Sequence, residues 1–179
     1  MRRMRRMVVV ALALASMVLA TGNAAHAAES WNHTDGFDSA PQSTWGFVGT
    51  GGFELNQGTA FTPPNNAWIR AQFSWSSVGK PLTLPETGGG SISCDAVIFV
   101  RAASGGRVNF EIINQADWGY IALLPVTLSP STSYQALVLS DWNGSAKNIF
   151  VRVALVGQGI SKTVRVDHLF VHCDFNVIE

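Results

Sequence analysis

Charged residues are scarce in this sequence, and neither sign dominates. They make up 13% of the 179 residues, with 12 Lys+Arg against 12 Asp+Glu. Four of the arginines precede residue 7, so the rest of the chain has 12 − 4 = 8 Lys+Arg against 12 Asp+Glu. A mildly acidic chain lacks the basic surface that neutralises phosphate groups. We therefore expect neither nucleic acid nor anionic lipid to be the main partner.

Recognisable catalytic motifs are also missing from the sequence. There is no G-x-S-x-G motif, no Ser-His-Asp order and no evident pair of Asp or Glu residues. Because the scattered acids could still converge in space, a small jelly-roll glycoside hydrolase or lyase remains an alternative. The sequence favours a binding protein over an enzyme.

The single long apolar run, Val8 to Ala20, is too short to span a membrane. It follows the basic stretch Met1 to Met7 and precedes Ala25-His26-Ala27, an A-x-A cleavage pattern. This order predicts a secretory signal peptide over 1–27, with a twin-arginine export signal as the alternative. The remainder, 28–179, has the length of one domain. We expect a secreted protein that does not insert into the membrane once the signal is cleaved.

Cysteines number only two, Cys94 and Cys173, and no metal-type cysteine spacing occurs. In an exported chain such a pair predicts a disulfide. The bridge would close a loop of roughly 79 residues and stabilise the fold by roughly 4 kcal/mol. The alternative is two separately buried thiols that pack as small apolar side chains.

Helical patterns, internal repeats, low-complexity tracts and long linkers are absent, whereas strand patterns recur at short intervals. Their composition and the polar turns between them predict an all-β chain folded as an antiparallel β-sandwich. In the last strand the apolar residues change parity near Asp167, which predicts a β-bulge there. A turn is expected over Asp141 to Gly144. The clearest predicted strands are Ile92 to Ala103, Arg107 to Asn114, Tyr120 to Leu128, Ser133 to Leu139, Asn148 to Val156 and Thr163 to Cys173.

The order of several landmarks resembles a known family. These landmarks are Phe37-Asp38 with Trp45, the strand opened by Trp75, Ile98-Phe-Val-Arg101 and Val164-Arg-Val-Asp167. Together they resemble the galactose-binding-like β-sandwich, or jelly-roll, modules of secreted carbohydrate-active proteins. The resemblance covers most of 28–179 and implies a carbohydrate-binding-module-like fold and glycan binding, although the function is an analogy at the level of the fold.

The same resemblance implies a structural calcium ion held by Asp38 and Asp167. Calcium takes six to eight oxygen ligands, so carbonyl groups and water would have to complete the site. The alternative is that Asp167 accepts bonds from local backbone amides at the bulge. This chain departs from the family pattern at His168, where a second acid is expected. His168 and His172 lie roughly 13 Å apart on a regular strand, too far to bind one transition metal.

Aromatic side chains in polar turns are the best candidates for a glycan site, because sugars stack on rings and bond to amides and carboxylates. We predict ligand contacts by Trp118 and Tyr120, and by Trp142 with its neighbours Asp141 and Asn143. The other tryptophans, Trp45, Trp68 and Trp75, are expected to be structural. A second candidate is the polar sheet face that would form if Arg101, Asn109, Glu111 and Arg152 lie on neighbouring strands.

The leading hypothesis is a secreted, non-catalytic carbohydrate-binding-like module that recognises a polysaccharide, a cell-surface glycan or another extracellular surface. The main alternative is a cell-wall-associated or protein-protein interaction domain.

Overall fold

The computed structural model describes residues 29–85 and 91–176, and the predicted signal peptide, 1–27, lies outside them. The described residues form strands joined by short loops, with one 3-10 turn at Pro41–Ser43. Within these ranges no helix is long and apolar enough to cross a membrane. The strands are β1 Glu29–Asp35, β2 Gly46–Val48, β3 Thr50–Leu55, β4 Asn65–Ala71, β5 Trp75–Thr83, β6 Ser91–Arg101, β7 Gly106–Asn114, β8 Tyr120–Leu128, β9 Gln135–Asn143, β10 Asn148–Val156 and β11 Lys162–Asn176.

Two antiparallel sheets pack face to face. The first sheet has the order β3-β4-β11-β6-β9, and β1 also pairs with β11. The second sheet has the order β2-β5-β10-β7-β8. The predicted all-β antiparallel sandwich is confirmed.

Alternation along the strands decides which side chains enter the core between the sheets. In β10 the odd-numbered residues Ile149 to Leu155 are fully buried, and Val108, Phe110 and Ile112 of β7 are buried beside them. The even-numbered residues of β10 and the odd-numbered residues of β7 lie on the outer face, because successive side chains of a strand point to opposite sides. The outer face of the second sheet therefore carries the polar residues of these two strands.

The disulfide between Cys94 and Cys173 is confirmed. The two cysteines face each other on adjacent strands, β6 and β11, with their Cα atoms 4.1 Å apart. The bulge predicted in β11 is also confirmed, because the register shifts between Asp167 and Phe170. His168 takes a φ of 48° there, which lets the strand change the face on which its apolar side chains lie.

The expected turn at Asp141 to Gly144 is wrong, because β9 continues to Asn143. Asp141 takes a φ of 54°, donates its N–H to Asp95 Oδ1 at 2.9 Å and lies at an irregularity in the β6–β9 register. The irregularity reverses the alternation, so Trp142 points inward opposite Cys94 and only 4% of it is exposed. Trp142 therefore belongs to the core.

A buried ion pair connects the two sheets. Lys80 of β5 donates to Asp35 of β1, and the indole Nε1 of Trp45 donates to the same carboxylate at 3.1 Å. Burial alone would raise the pKa of Asp35, but the bonds from Lys80 and from the Phe37 amide lower it below its usual value. These partners satisfy charges that would otherwise be costly to bury.

Candidate functional site

A cavity of about 380 Å³ lies on the outer face of the second sheet. We call it the groove and define it by its lining residues. Its polar groups come from the adjacent strands β7 and β10, on which Glu111 lies opposite Arg152 and Asn109 lies opposite Ala154. The lining residues are Trp75, Asn109, Glu111, Tyr120, Arg152, Ala154 and Val156.

Small residues make room for the groove. Ala154 lies opposite Ser77, and Arg152 lies opposite Gly79, on the neighbouring strand β5. A Cβ atom on Gly79 would lie only 2.6 Å from Cε1 of Phe150. Glycine is therefore needed where the Phe150 ring approaches the β5 backbone.

An ion pair lies in the floor of the groove. The Nε of Arg152 donates to Glu111 Oε2 at 2.5 Å, and Asn109 Nδ2 donates to Glu111 Oε1 at 3.2 Å. The exposed fractions of the side chains are 2% for Glu111 and 19% for Arg152. The guanidinium also lies 5.3 Å from the centre of the Trp75 ring, a distance at which a cation is attracted to the ring face. These contacts fix the polar groups in place.

Exposed aromatic residues flank this floor. The exposed fractions are 44% for Trp75, 57% for Tyr120 and 63% for Trp118. Trp118 adopts a φ of 59°, which is unusual for a large residue, and donates its N–H to the Asn114 carbonyl at 2.8 Å. Its ring lies 5.9 Å from that of Phe150 on the same outer face. Rings held in this way offer apolar surface to a ligand.

The structure separates the residues proposed from sequence as ligand contacts. Tyr120 lines the groove, and Trp118 is exposed next to Phe150. Asp141 and Asn143 are exposed on β9, which belongs to the other sheet. The prediction for Trp142 is corrected, because a ring buried against the disulfide has no face free for a ligand.

The prediction for Trp75 is also corrected, from a structural residue to a candidate ligand contact. Sequence reasoning assigned it a structural role, but its side chain is exposed and lines the groove. Of the polar face residues, Asn109, Glu111 and Arg152 do converge, because β7 and β10 are neighbours. Arg101 lies on β6 of the first sheet, with its guanidinium 5.1 Å from the Tyr134 ring. The only sequence signal for Trp75 was its position at a strand start, which does not specify the face.

Asp167 accepts four hydrogen bonds and is fully buried. Its Oδ2 accepts the N–H groups of Phe61 at 2.6 Å and Thr62 at 3.0 Å. Its Oδ1 accepts the His168 N–H at 2.7 Å and the Thr62 hydroxyl at 3.2 Å. Burial nevertheless raises the pKa of Asp167 to about 6. Through its four hydrogen bonds the Asp167 side chain connects the β3–β4 loop to the bulge of β11.

The N–H and O–H groups around Asp167 do not fit the calcium site that was predicted at Asp38 and Asp167. Carboxylate ligands of calcium direct their oxygens at the ion, whereas both oxygens of Asp167 face N–H and O–H groups. Asp38 is exposed, and the described residues contain no group of three or more His, Cys, Asp or Glu side chains arranged to hold a metal. Calcium binding at Asp38 and Asp167 stays a prediction without support from this arrangement.

Comparison with protein-family models finds no match, and comparison with curated protein sequences finds none either. Solved structures with a similar fold do exist. The xylan-binding CBM22-1 domain from Paenibacillus barcinonensis has a TM-score of 0.55 at 10% identity, covering 87% of this chain and 100% of that one. A C-terminal family 22 carbohydrate-binding module from Clostridium thermocellum has a TM-score of 0.54 at 16% identity, covering 82% and 95%.

A third similar structure is the K1 cleaved adhesin domain of Lys-gingipain from Porphyromonas gingivalis. Its TM-score is 0.52 at 8% identity, and the match covers 83% of this chain and 99% of that one. Identities this low establish a shared fold and nothing more specific. The fold is that of the carbohydrate-binding-module-like jelly roll that the sequence resembles.

Proposed function

We propose that this protein is a secreted glycan-binding module and that the groove is its binding site. The observation that carries the proposal is the cavity of about 380 Å³ in which exposed rings flank a polar floor. Sugars present apolar C–H faces and hydroxyl groups together, and this combination of rings and polar groups matches both. The similarity to a xylan-binding domain and to a family 22 module adds support at the level of the fold.

Each groove residue has a distinct task in this proposal. Trp75 and Tyr120 supply ring surface to a sugar, and the exposed Trp118 offers a further ring beyond Phe150. The amide of Asn109 both donates and accepts hydrogen bonds with sugar hydroxyl groups. Glu111, which is almost fully buried, holds Asn109 and Arg152 in position below the ligand. Because the ion pair and the register hold these groups in position, little side-chain entropy is lost on binding.

Binding proceeds without transformation of the glycan. Glycoside hydrolases use two carboxyl groups on either side of the scissile bond. Among the residues that line the groove, Glu111 is the sole carboxylate, and it is paired with Arg152. The groove therefore lacks the second acid that the two-carboxylate mechanism of glycoside hydrolases requires.

Secretion is part of the proposal. The sequence pattern of 1–27 is that of a signal peptide, and the Cys94–Cys173 disulfide belongs to an oxidising compartment. The expected partner is a polysaccharide or a cell-surface glycan.

The test is retention of the mature protein on polysaccharides in affinity electrophoresis, followed by calorimetry with the polymer that retains it best. Trp75→Ala and Tyr120→Ala should each weaken binding by ~2 kcal/mol, or roughly thirtyfold, as expected for central aromatic contacts. Phe73→Ala is the matched control, since Phe73 is exposed on the β4–β5 loop and is not among the groove residues. Absence of retention across a broad panel, or an equal loss in the control, would contradict the proposal.

A second candidate function, protein interaction, is favoured by one end of the sandwich. The β4–β5 and β10–β11 loops are joined there by two backbone bonds of 2.7 Å, from Gly157 to Ser74 and from Gly159 to Gln72. Each loop exposes one large apolar side chain, Phe73 and Ile160. This function predicts a protein partner whose binding is weakened by Phe73→Ala and unaffected by Trp75→Ala.

A further inference from the structure

The charges inside the groove cancel. Among its lining residues only Glu111 and Arg152 are charged, and they form one ion pair. Because the carboxylate is almost fully buried, it depends on its positive partner. The floor is therefore polar without a net charge.

Arg152 is held so that it is a poor receptor for a carboxylate from outside. Its Nε is bonded to Glu111, and its guanidinium lies against the Trp75 ring. Arginine binds carboxylates best through two parallel N–H bonds. With its Nε bonded to Glu111, Arg152 can offer a ligand only the fork formed by its two terminal Nη groups. A carboxylate on a ligand would have to compete with Glu111 for this residue.

Glu111 adds repulsion to this competition. Glu111 lies just below the ligand surface with both oxygens bonded to protein groups, so it acts on a ligand through its negative charge. A uronic acid placed in the groove would bring a second negative charge next to Glu111 in a partly desolvated site, where like charges are unfavourable. The pair therefore distinguishes sugars by charge.

From this geometry we propose that the Glu111–Arg152 pair is the specificity determinant of the groove, which admits uncharged polysaccharides and rejects polyuronates. The inference rests on the proposed glycan-binding function and deepens it. It also predicts that specificity can be changed at one position. Glu111→Gln keeps the size of the side chain but frees Arg152 to bind a carboxylate.

The experiment compares polymers that differ only at C6, namely β-1,4-mannan with β-1,4-mannuronan and β-1,4-glucan with β-1,4-glucuronan. Oligosaccharides of equal length are titrated into the full mature protein by calorimetry. The wild-type protein should prefer the neutral member of any pair it binds by about tenfold or more, a difference of ~1.4 kcal/mol. Glu111→Gln should reduce or reverse this preference, and the added change Arg152→Gln should abolish the uronate binding so gained.

Arg107→Gln is the matched control. Arg107 is exposed on β7, in register with Val156 at the edge of the groove, and its removal takes away a nearby positive charge without touching the pair. The ratio of neutral to charged binding should stay unchanged in this variant. Thermal unfolding checks that each variant is folded, and if Glu111→Gln is not, the wild-type ratio decides alone.

The possible results separate the two proposals. Equal or stronger binding of the uronate by the wild-type protein overturns the specificity inference and leaves glycan binding intact. A preference that is unchanged in folded Glu111→Gln also overturns it. A folded wild-type protein that binds none of these polymers, nor any in the broader panel, overturns the proposed function together with the inference.

Discussion

Removal of the Cys94–Cys173 disulfide should strongly destabilise the protein while leaving the groove untouched. The bridge joins residues 79 apart in sequence, and the loop-closure relation gives about 4.5 kcal/mol for a loop of that length at 25 °C. A domain is typically stable by only 5–15 kcal/mol. The bridge thus accounts for a large share of the stability.

The perturbation is the double substitution Cys94→Ala with Cys173→Ala, which leaves no unpaired thiol. Only two sulfur atoms are removed from the core, so most of the loss comes from the greater freedom of the unfolded chain. Loss of the sulfur atoms also changes the packing, because the Gly144 backbone lies so close that a Cβ on it would be 2.7 Å from Cys94 Sγ. This closeness shows how little spare space surrounds the bridge.

Urea unfolding followed by tryptophan fluorescence measures the effect, since Trp142 is buried opposite Cys94. The free energy of unfolding should fall by about 4 to 5 kcal/mol, and the dependence on urea should steepen as the unfolded state expands. Reduction of the wild-type protein should produce the same loss, while the double variant should not respond to reductant. A loss below about 1 kcal/mol would refute the loop-closure reasoning for this bridge.

Three further predictions concern the stability of other contacts. Burial alone would raise the pKa of Glu54, but its bonds from Arg165 at 2.6 and 2.7 Å and from its neighbours lower it to about 2 from 4.5. Wild-type protein should therefore lose stability as pH falls from about 4.5 to 2, and Glu54→Gln should lose less in the same acid titration. Because the pKa of Asp167 is raised from 3.8 to about 6, the folded state binds the extra proton and stability should fall as pH rises between these values. Asp167→Asn should remove that slope in unfolding measured across the window, and a slope that persists would contradict the assignment. Gly79→Ala should lower the melting temperature, since its Cβ would meet both Phe150 and backbone, and an unchanged melting temperature would show that the ring can move away.

Much of the sandwich follows from local patterns. The strands Tyr120–Leu128 and Asn148–Val156 begin and end where their composition indicated. Inward and outward positions follow from a strand period of two residues, which is a property of the backbone itself. The cysteine pairing was also predictable, because a sequence with two cysteines offers each of them a single partner.

The site was less predictable because bulges change the alternation. Trp142 lies between Asp141 and Asn143, a composition that predicts a turn. In the structure the strand continues past Asp141, and the register shift there places the Trp142 ring on the inner face. Trp75, between Ser74 and Ser76 at the start of a predicted strand, was assigned a structural role. In the structure it faces outward, since Val78 and Leu82 of the same strand take the buried positions.

Sequence alone determined that this chain forms an antiparallel sandwich with a disulfide, because strand patterns, turns and cysteine count are local or compositional properties. It also proposed that the polar residues Arg101, Asn109, Glu111 and Arg152 would form one face if their strands were neighbours, and Arg101 proved to lie in the other sheet. Only the tertiary structure decided that β7 and β10 are neighbours, so that the other three residues meet beside Trp75 and Tyr120. Strand order is set by how both sheets bury their apolar faces together, and no segment of the chain carries that information by itself.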